Sequence, residues 1–430
     1  MIKKTILAVC GLWLATLINA QNIHSIINAK EVERIEKTLS SNEMRGRRAF
    51  SPDIDKAAAF IANEFKQTGL QTFNKNSSSY LQQFSMLSLK SSSTQCVMDG
   101  VNEDANNVIV VSPKKELTVN EQSGFEVVSI TKSDENFRQK ITNILRSNKN
   151  TLVLIDTSFA KMFPRLKFNA RQLYANSPNI IFILTSNSPK TFSIHATQNF
   201  TEQKLSNVVG IIPGKTKPNE YVIFSGHYDH LGVGKPVNGD SIYNGANDDA
   251  SGTTAVITLA KYFKALHNNE RTLVFVTFTA EEIGGFGSQY FSKQFNPAQV
   301  VAMFNIEMIG TESKWGANSA YITGYEKTDM GKILQSNLQG TNFAFYPDPY
   351  TTQNLFYRSD NATLARLGVP AHTISTSKMD DEPNYHKVSD EIETLDMNNM
   401  AEIIKAIALS SKEIIGGKQT PARVDAKSLN

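Results

Sequence analysis

From residue 205 onward, compact apolar runs alternate with amphipathic stretches of helical period. Residues 208–212, 221–225, 272–278, 300–306 and 320–323 are predominantly apolar without polar alternation, as strands covered on both faces must be, and 371–375, which includes His372, Thr373 and Ser375, is read as a strand with them. Segments 251–266, 287–294, 329–339, 361–367 and 398–415 repeat their apolar positions at helical spacing. The pattern predicts an α/β fold, a largely parallel sheet with helices on both faces, over residues 204–415.

The earlier half reads differently. Helical spacing covers 27–39 and 54–69, with Ser51, Pro52 and Asp53 as start signals and Gly69 as a stop; residues 21–86 are assigned to the same domain. A Ser-, Asn- and Gln-rich stretch around a strand-like segment at 80–86 then marks a change of composition. Across 87–203, short apolar runs at 108–111, 151–155 and 179–184 and one helix at 135–146 alternate with turns and carry no chemical motif, so this part reads as an inserted smaller subdomain in which His195 stands alone. After Gly416-Gly417 periodicity is lost, which predicts a flexible tail over 416–430.

Composition narrows the class. With 430 residues, 40% hydrophobic and 20% charged, the chain is long enough for a large core plus an insertion. The first 20 residues have the pattern of a secretory signal peptide, with Lys3 and Lys4 ahead of an apolar run at 6–17 and a close at Ala20. The expectation is a secreted or periplasmic protein, not held at a membrane after cleavage. The formal charge is +3, and +1 without Lys3 and Lys4, so no basic field points to nucleic acid. Of two cysteines, Cys10 falls in the leader and Cys96 remains, which excludes an internal disulfide in the processed chain and reads as a small buried residue.

Open parallel sheets present ligand-binding groups beyond the carboxyl ends of their strands. There the chain places Gly226-His227-Tyr228-Asp229, then Glu281-Glu282, then Glu307, and a loop reaching Tyr385-His386; Asp248 precedes a helix. Each alone has a plain structural explanation, such as a hydrogen-bonded core histidine or a helix cap. Together, three or four carboxylates at neighbouring strand ends without a Lys or Arg cluster call for divalent cations. Two imidazoles with carboxylates and no thiolate suit zinc, or manganese or cobalt, better than calcium or magnesium. Two His and three carboxylates exceed the needs of one catalytic zinc and serve two ions if Asp248 bridges. Glu281 and Glu282 would point apart if the strand continued through them, making one a ligand and the other a base.

These motifs, with Asn244-Gly245-Ala246-Asn247-Asp248-Asp249-Ala250-Ser251-Gly252, Glu281-Glu282-Ile283-Gly284 and Asn305-Ile306-Glu307-Met308 in this order, resemble the co-catalytic two-zinc aminopeptidase family that also contains glutamate carboxypeptidase II. The resemblance covers about 205–412, and Arg45-Gly46-Arg47 is similar to the family's N-terminal region. It implies a three-layer αβα zinc-exopeptidase (phosphorylase/hydrolase-like) fold with a mostly parallel mixed sheet, and two Zn2+ ions acting on peptide substrates. One ion would take His227, Asp248 and Glu307, the other Asp248, Glu282 and His386. Glu281 matches the general base, and Asp229 the residue that orients the first His ligand. Tyr385 matches a position from which a phenol can hydrogen-bond the oxyanion, or simply packs the loop base. Arg358, in Arg358-Ser359-Asp360-Asn361, matches a segment lining the substrate cleft, and Ser359 equally suits a helix cap. Many relatives have Asp where this chain has Glu307, and relatives of similar plan carry a protease-associated subdomain where 87–203 lies.

The implied activity is removal of N-terminal residues from peptides. Carboxypeptidase or dipeptidase action by the same core, a one-zinc cyclase, a zinc exopeptidase with a dimerisation insert, and a non-catalytic binding homologue are the alternatives. Three further histidines are set aside: His230 as a loop-shaping neighbour of the first motif, His267 as a helix end and His372 as core.

Overall fold

The structure, a computed structural model, describes residues 23–429. The leader expected at 1–20, with Cys10, lies outside them. Among the described residues no helix is long and apolar enough to cross a membrane. The chain divides into two compact units, one of residues 23–83 with 205–429 and one of 84–204.

In the first unit the apolar runs pair into one sheet. Its strands are β1 (Phe192–Ile212, from residue 205), β2 (Lys217–His227), β3 (Arg271–Phe278), β4 (Val300–Ile306), β5 (Ser319–Ile322), β6 (Ala344–Pro347) and β7 (Ala371–Ser375). Their order is β6-β5-β7-β4-β2-β3-β1. The central four, β7, β4, β2 and β3, are mutually parallel, while β1 and β5 run antiparallel to their inner neighbours. Every residue of β3, β4 and β7 is buried, which explains the lack of alternation with exposed polar positions; polar members such as Asn305, His372 and Thr373 are buried and hydrogen-bonded.

Helices close both faces, giving the expected three layers. They are α1 (Ala29–Leu39), α2 (Pro52–Thr68), α3 (Ser251–Leu266), α4 (Phe286–Ser292), α5 (Met330–Asn337), α6 (Asn361–Ala365) and α7 (Met397–Ser410). Side chains alternate along β2, so Phe224 turns to one face and Ile223 to the other. Phe224 stacks on Phe275 of β3 and Phe304 of β4, with centroids 5.5 and 4.9 Å away, and on Phe263 of α3 at 5.4 Å. Around α3 pack α1, α2 and α7. On the opposite face Ile223, Val274, Val276 and Phe278 meet Phe291 of α4 and Leu364 of α6. Local chemistry sets the ends: Ser51 Oγ accepts the Asp53 N–H ahead of α2, and Gly69, at φ 74°, ends it.

The second unit holds a four-stranded sheet in the order Val108–Val111, Ile180–Leu184, Thr151–Ile155, Glu126–Ile130. Alternate residues feed two clusters: Leu152, Leu154, Ile181 and Ile183 on one face, Val153, Ile155, Ile180 and Phe182 on the other. Cys96 is buried in the first cluster, and burial pushes its thiol up to about 11, as an inert apolar residue requires.

Three expectations need correction. β3 does not persist to Glu281; it ends at Phe278, and Ala280, at φ 59°, turns the chain. The helix expected at 398–415 is two, Met397–Ser410 and Lys412–Ile415. The stretch after Gly416 is not a loose tail, because polar anchors replace periodicity. The buried Arg271 guanidinium donates to the carbonyls of Ile414 and Gln419 and to Thr420 Oγ1, Arg423 donates to the Val300 and Pro297 carbonyls, and Val424 is buried.

Candidate metal centre

Because β2, β3, β4 and β7 are parallel, their carboxyl ends open on the same edge of the sheet, and the candidate side chains meet there. His227 is the last residue of β2 and is fully buried. Its Nδ1 lies 3.1 Å from the Asp229 main-chain oxygen, an acceptor only, so Nδ1 carries the hydrogen and Nε2 presents a lone pair. That Nε2 lies 3.2 Å from Asp248 Oδ1.

Asp248 faces both ways: its second oxygen, Oδ2, lies 3.2 Å from His386 Nε2. The loop that presents it is fixed by Asp390, whose carboxylate accepts the Asn247 and Asp248 N–H groups at 2.8 and 3.0 Å. Behind it, buried Asp249 accepts N–H groups from His227, Gly252 and Met308 at 3.1, 3.0 and 3.0 Å, binding three segments into one frame. Gly252 is required here, since a Cβ would meet Ile306 O at 2.1 Å and both Asp249 carboxylate oxygens at 2.5 Å.

Glu282 Oε2 lies 3.1 Å from His386 Nε2. Glu307 follows β4 directly; its ligand atom with those of His227 and Asp248 forms a group within 4.8 Å of one another, and its Oε2 is buried with no hydrogen-bond partner among the described residues. Ala280, Met308 and His386, flanking these side chains, have φ of 59°, 54° and 56°. Such left-handed backbone costs a non-glycine residue about 1–2 kcal/mol and concentrates at functional sites.

Two assignments from sequence acquire a different geometry. Asp229 reaches His227 through its backbone carbonyl, its carboxylate standing 3.8 Å from Nδ1; the carboxylate instead accepts the Glu281 and Glu282 N–H groups at 3.0 and 3.4 Å. Ser359 does not cap α6; its hydroxyl accepts from Asn305 Nδ2 at 2.7 Å. Tyr385 stacks on His386, centroids 4.0 Å apart, and the Arg358 guanidinium lies 3.5 Å from its hydroxyl. Both line a cleft with Asp248, Glu281, Glu282 and Glu307.

One participant escaped sequence reasoning. His230, buried, lies with Asp248 and Glu282 in a second group of metal-competent atoms, its Nδ1 2.7 Å from Glu282 Oε1. Its nearness to the first motif was the available signal; the contact across 52 positions was not.

The electrostatics are those of an acidic surplus. Among the described residues the ion-pair partners of Asp229, Asp248 and Glu282 are imidazoles only. Burial pushes Glu281 well above the usual carboxylate range, with Glu307, Asp360 and Glu282 adding to the effect, and it pushes Glu307 up to about 7. Against the burial penalty, hydrogen bonds to Asp248 and Glu282 hold His386 up at about 10. Protons thus gather where positive charge is wanted. The separations of 3.1–3.2 Å between imidazole nitrogens and carboxylate oxygens match the edge of a tetrahedron with bonds of about 2.0–2.1 Å, roughly 3.3 Å. The donor set, its spacing and the unpartnered Glu307 oxygen fit two zinc ions.

This part of the chain is similar to known proteins. Residues 207–410 match Peptidase family M28, and that segment contains all five candidate ligands. A probable leucine aminopeptidase of Trichophyton verrucosum is 29% identical over 208 residues, 46% of this chain and 54% of its own length. Aminopeptidase YwaD of Bacillus subtilis is 22% identical over 248 residues, 56% and 51%. The chain spans about half the length of these curated relatives. In fold, it is similar to an aminopeptidase from Aneurinibacillus sp. strain AM-1, at 17% identity and TM-score 0.55 over 91% of this chain and 95% of that one. It is also similar to BSAP, a zinc aminopeptidase from Bacillus subtilis, at 16% identity and TM-score 0.54 over 90% and 95%. Through residues 207–410, a little under half of its length, the chain is similar to peptidase family M28.

Proposed function

We propose that the protein is an exported two-zinc aminopeptidase that removes N-terminal residues from peptides. The observation that carries the reading is the bridging posture of Asp248, each of whose oxygens stands 3.2 Å from a different imidazole, His227 and His386. Glu307 completes the first set and Glu282 the second. Zinc bound there supplies Lewis acidity and lowers the pKa of water toward neutrality. Glu281, beside the sets but outside both, takes the proton of the attacking water and returns it to the leaving amine. Burial and the Asp248, Glu307 and Glu282 charges hold Tyr385 above its ordinary pKa, so its hydroxyl stays a donor for a developing oxyanion.

Relatives and fold neighbours named as aminopeptidases support the direction of cleavage, and a surplus of carboxylates suits a substrate's free ammonium group. Met308, Leu355 and Met379 on the cleft wall suit an apolar N-terminal side chain. The leader pattern at 1–20 supports export. Arg358 at the cleft favours the second reading, a carboxypeptidase that grips a terminal carboxylate. A panel of substrates separates them: zinc-loaded protein should cleave free-amine aminoacyl anilides and leave N-blocked, free-carboxylate peptides intact. The opposite selectivity rejects the aminopeptidase reading, and no hydrolysis of either rejects both.

A further inference from the structure

We propose that His230 is a positioning residue for Glu282, fixing by a hydrogen bond which carboxylate oxygen is left for the metal. This rests on the two-zinc reading and deepens it.

The imidazole is clamped before it touches the site. Its residue is 1% exposed, and its N–H donates to the Arg47 carbonyl at 3.2 Å. Arg47, buried in turn, donates to the carbonyls of Tyr228, Leu39, Asn244 and Gly245, so the strand end before His230 and the loop against its ring hang from one guanidinium. Gly245, at φ 58°, allows that loop to close on the ring; a Cβ there would lie 2.5 Å from His230 Cγ and Cδ2.

Held in this way, the ring has one polar contact of hydrogen-bond length, Nδ1 to Glu282 Oε1 at 2.7 Å. Asp248 Oδ2 is 3.9 Å from the same nitrogen. Nε2 is buried with no hydrogen-bond partner among the described residues. A hydrogen on Nε2 would have no acceptor, whereas on Nδ1 it meets a carboxylate, so the tautomer with Nδ1–H is selected.

Distance separates this role from ligation. His227 and His386 stand 3.1–3.2 Å from their carboxylates, as two ligands of one ion do, while His230 stands at 2.7 Å, the length of a charge-assisted N–H···O bond. Glu282 therefore has its two oxygens divided: Oε1 to His230 and Oε2 toward His386 and the second ion. Carboxylates commonly orient metal-binding imidazoles. Here an imidazole orients a metal-binding carboxylate, keeping it a single-oxygen ligand and leaving a coordination position open.

Two variants test this in the full chain. His230→Leu keeps bulk and removes the donor; His230→Asn keeps a donor on Cγ, near the position of Nδ1. Both would be loaded with zinc, checked by thermal melting without metal, and followed as zinc passes to a chromogenic chelator. The expected result is that His230→Leu loses one of its two equivalents about 10–100-fold more readily than the unaltered protein, while His230→Asn stays within a few-fold. Ring-nitrogen NMR of the unaltered zinc protein should show a hydrogen on His230 Nδ1. Equal zinc retention in all three proteins, equal loss from both variants, or a zinc-bound structure with Nδ1 at coordination distance overturns the proposal. If the unaltered protein takes up no zinc, the two-zinc reading itself fails, and that result is visible before any variant is compared.

Discussion

The carboxylate of Asp229 holds the main chain of Glu281, its Oδ1 accepting the Glu281 N–H at 3.0 Å. Through its backbone carbonyl the same residue sets the tautomer of His227. One residue thus registers the strand end that bears a proposed ligand against the turn that carries the proposed base. Asp229→Ala should lower kcat about 10–100-fold, in the range found for partners of ligands, with both zinc equivalents retained at saturating metal. Steady-state kinetics beside metal analysis checks this, and unchanged kcat rejects the link.

Glu281→Gln leaves every proposed ligand in place and removes the proton acceptor. Zinc content should stay at two equivalents while turnover falls about 10²–10⁴-fold. Full turnover in this variant would discard the base assignment.

His386→Ala removes the nitrogen that sits 3.2 Å from Asp248 and 3.1 Å from Glu282. Stoichiometry should fall from two zinc ions to one, read by metal analysis after gel filtration. Retention of two would show that His386 is not a ligand.

Gly252→Ala forces a methyl group against Ile306 O and the Asp249 carboxylate, and the backbone cannot give way without loosening the frame. A loss of about 1–3 kcal/mol is expected from overpacking alone. Chemical denaturation of the metal-free protein measures it.

A pH dependence arises away from the metal. Burial pushes Glu36 up to about 8, opposed by its hydrogen bond from Thr254 and by Arg47. Its folded pKa lies above the unfolded value, so its contribution is whole below about 4.5 and is lost as pH rises through 8. The melting temperature of the metal-free protein should fall between about pH 5 and 8 and level off above, at about 1–2 °C per kcal/mol lost for a chain of this length. Glu36→Gln should flatten the decline; an unchanged slope assigns it to other groups.

Much of this architecture is legible in the chain. Strand β4 is buried on both faces and ends where its apolar run ends, β7 has the bounds expected for it, and α3 keeps its period from Ser251 to Leu266. Less legible were elements whose register comes from a neighbour. The hairpin Gly232–Val237 with Asp240–Tyr243 has five consecutive exposed residues in its first strand, so it shows no alternation. Strand β6, four residues long and half exposed, is defined by pairing with β5. Four of the five ligand candidates could be found because each follows an apolar run or opens a helix, and His386 because the loop after β7 leads to it, but His230 acquires meaning only from Glu282. The fastening of residues 416–429 depends likewise on Arg271, far upstream.

In the first unit, Gln82 Oε1 accepts from Asn207 Nδ2 at 2.9 Å, and the Tyr80 carbonyl accepts the Val209 N–H at 2.8 Å. The places where the chain departs for residues 84–204 and returns from them are therefore stitched together within the unit that carries the metal-competent groups. The unit that carries the metal-competent groups therefore secures its own closure at this junction, with side-chain and main-chain groups that belong to it alone.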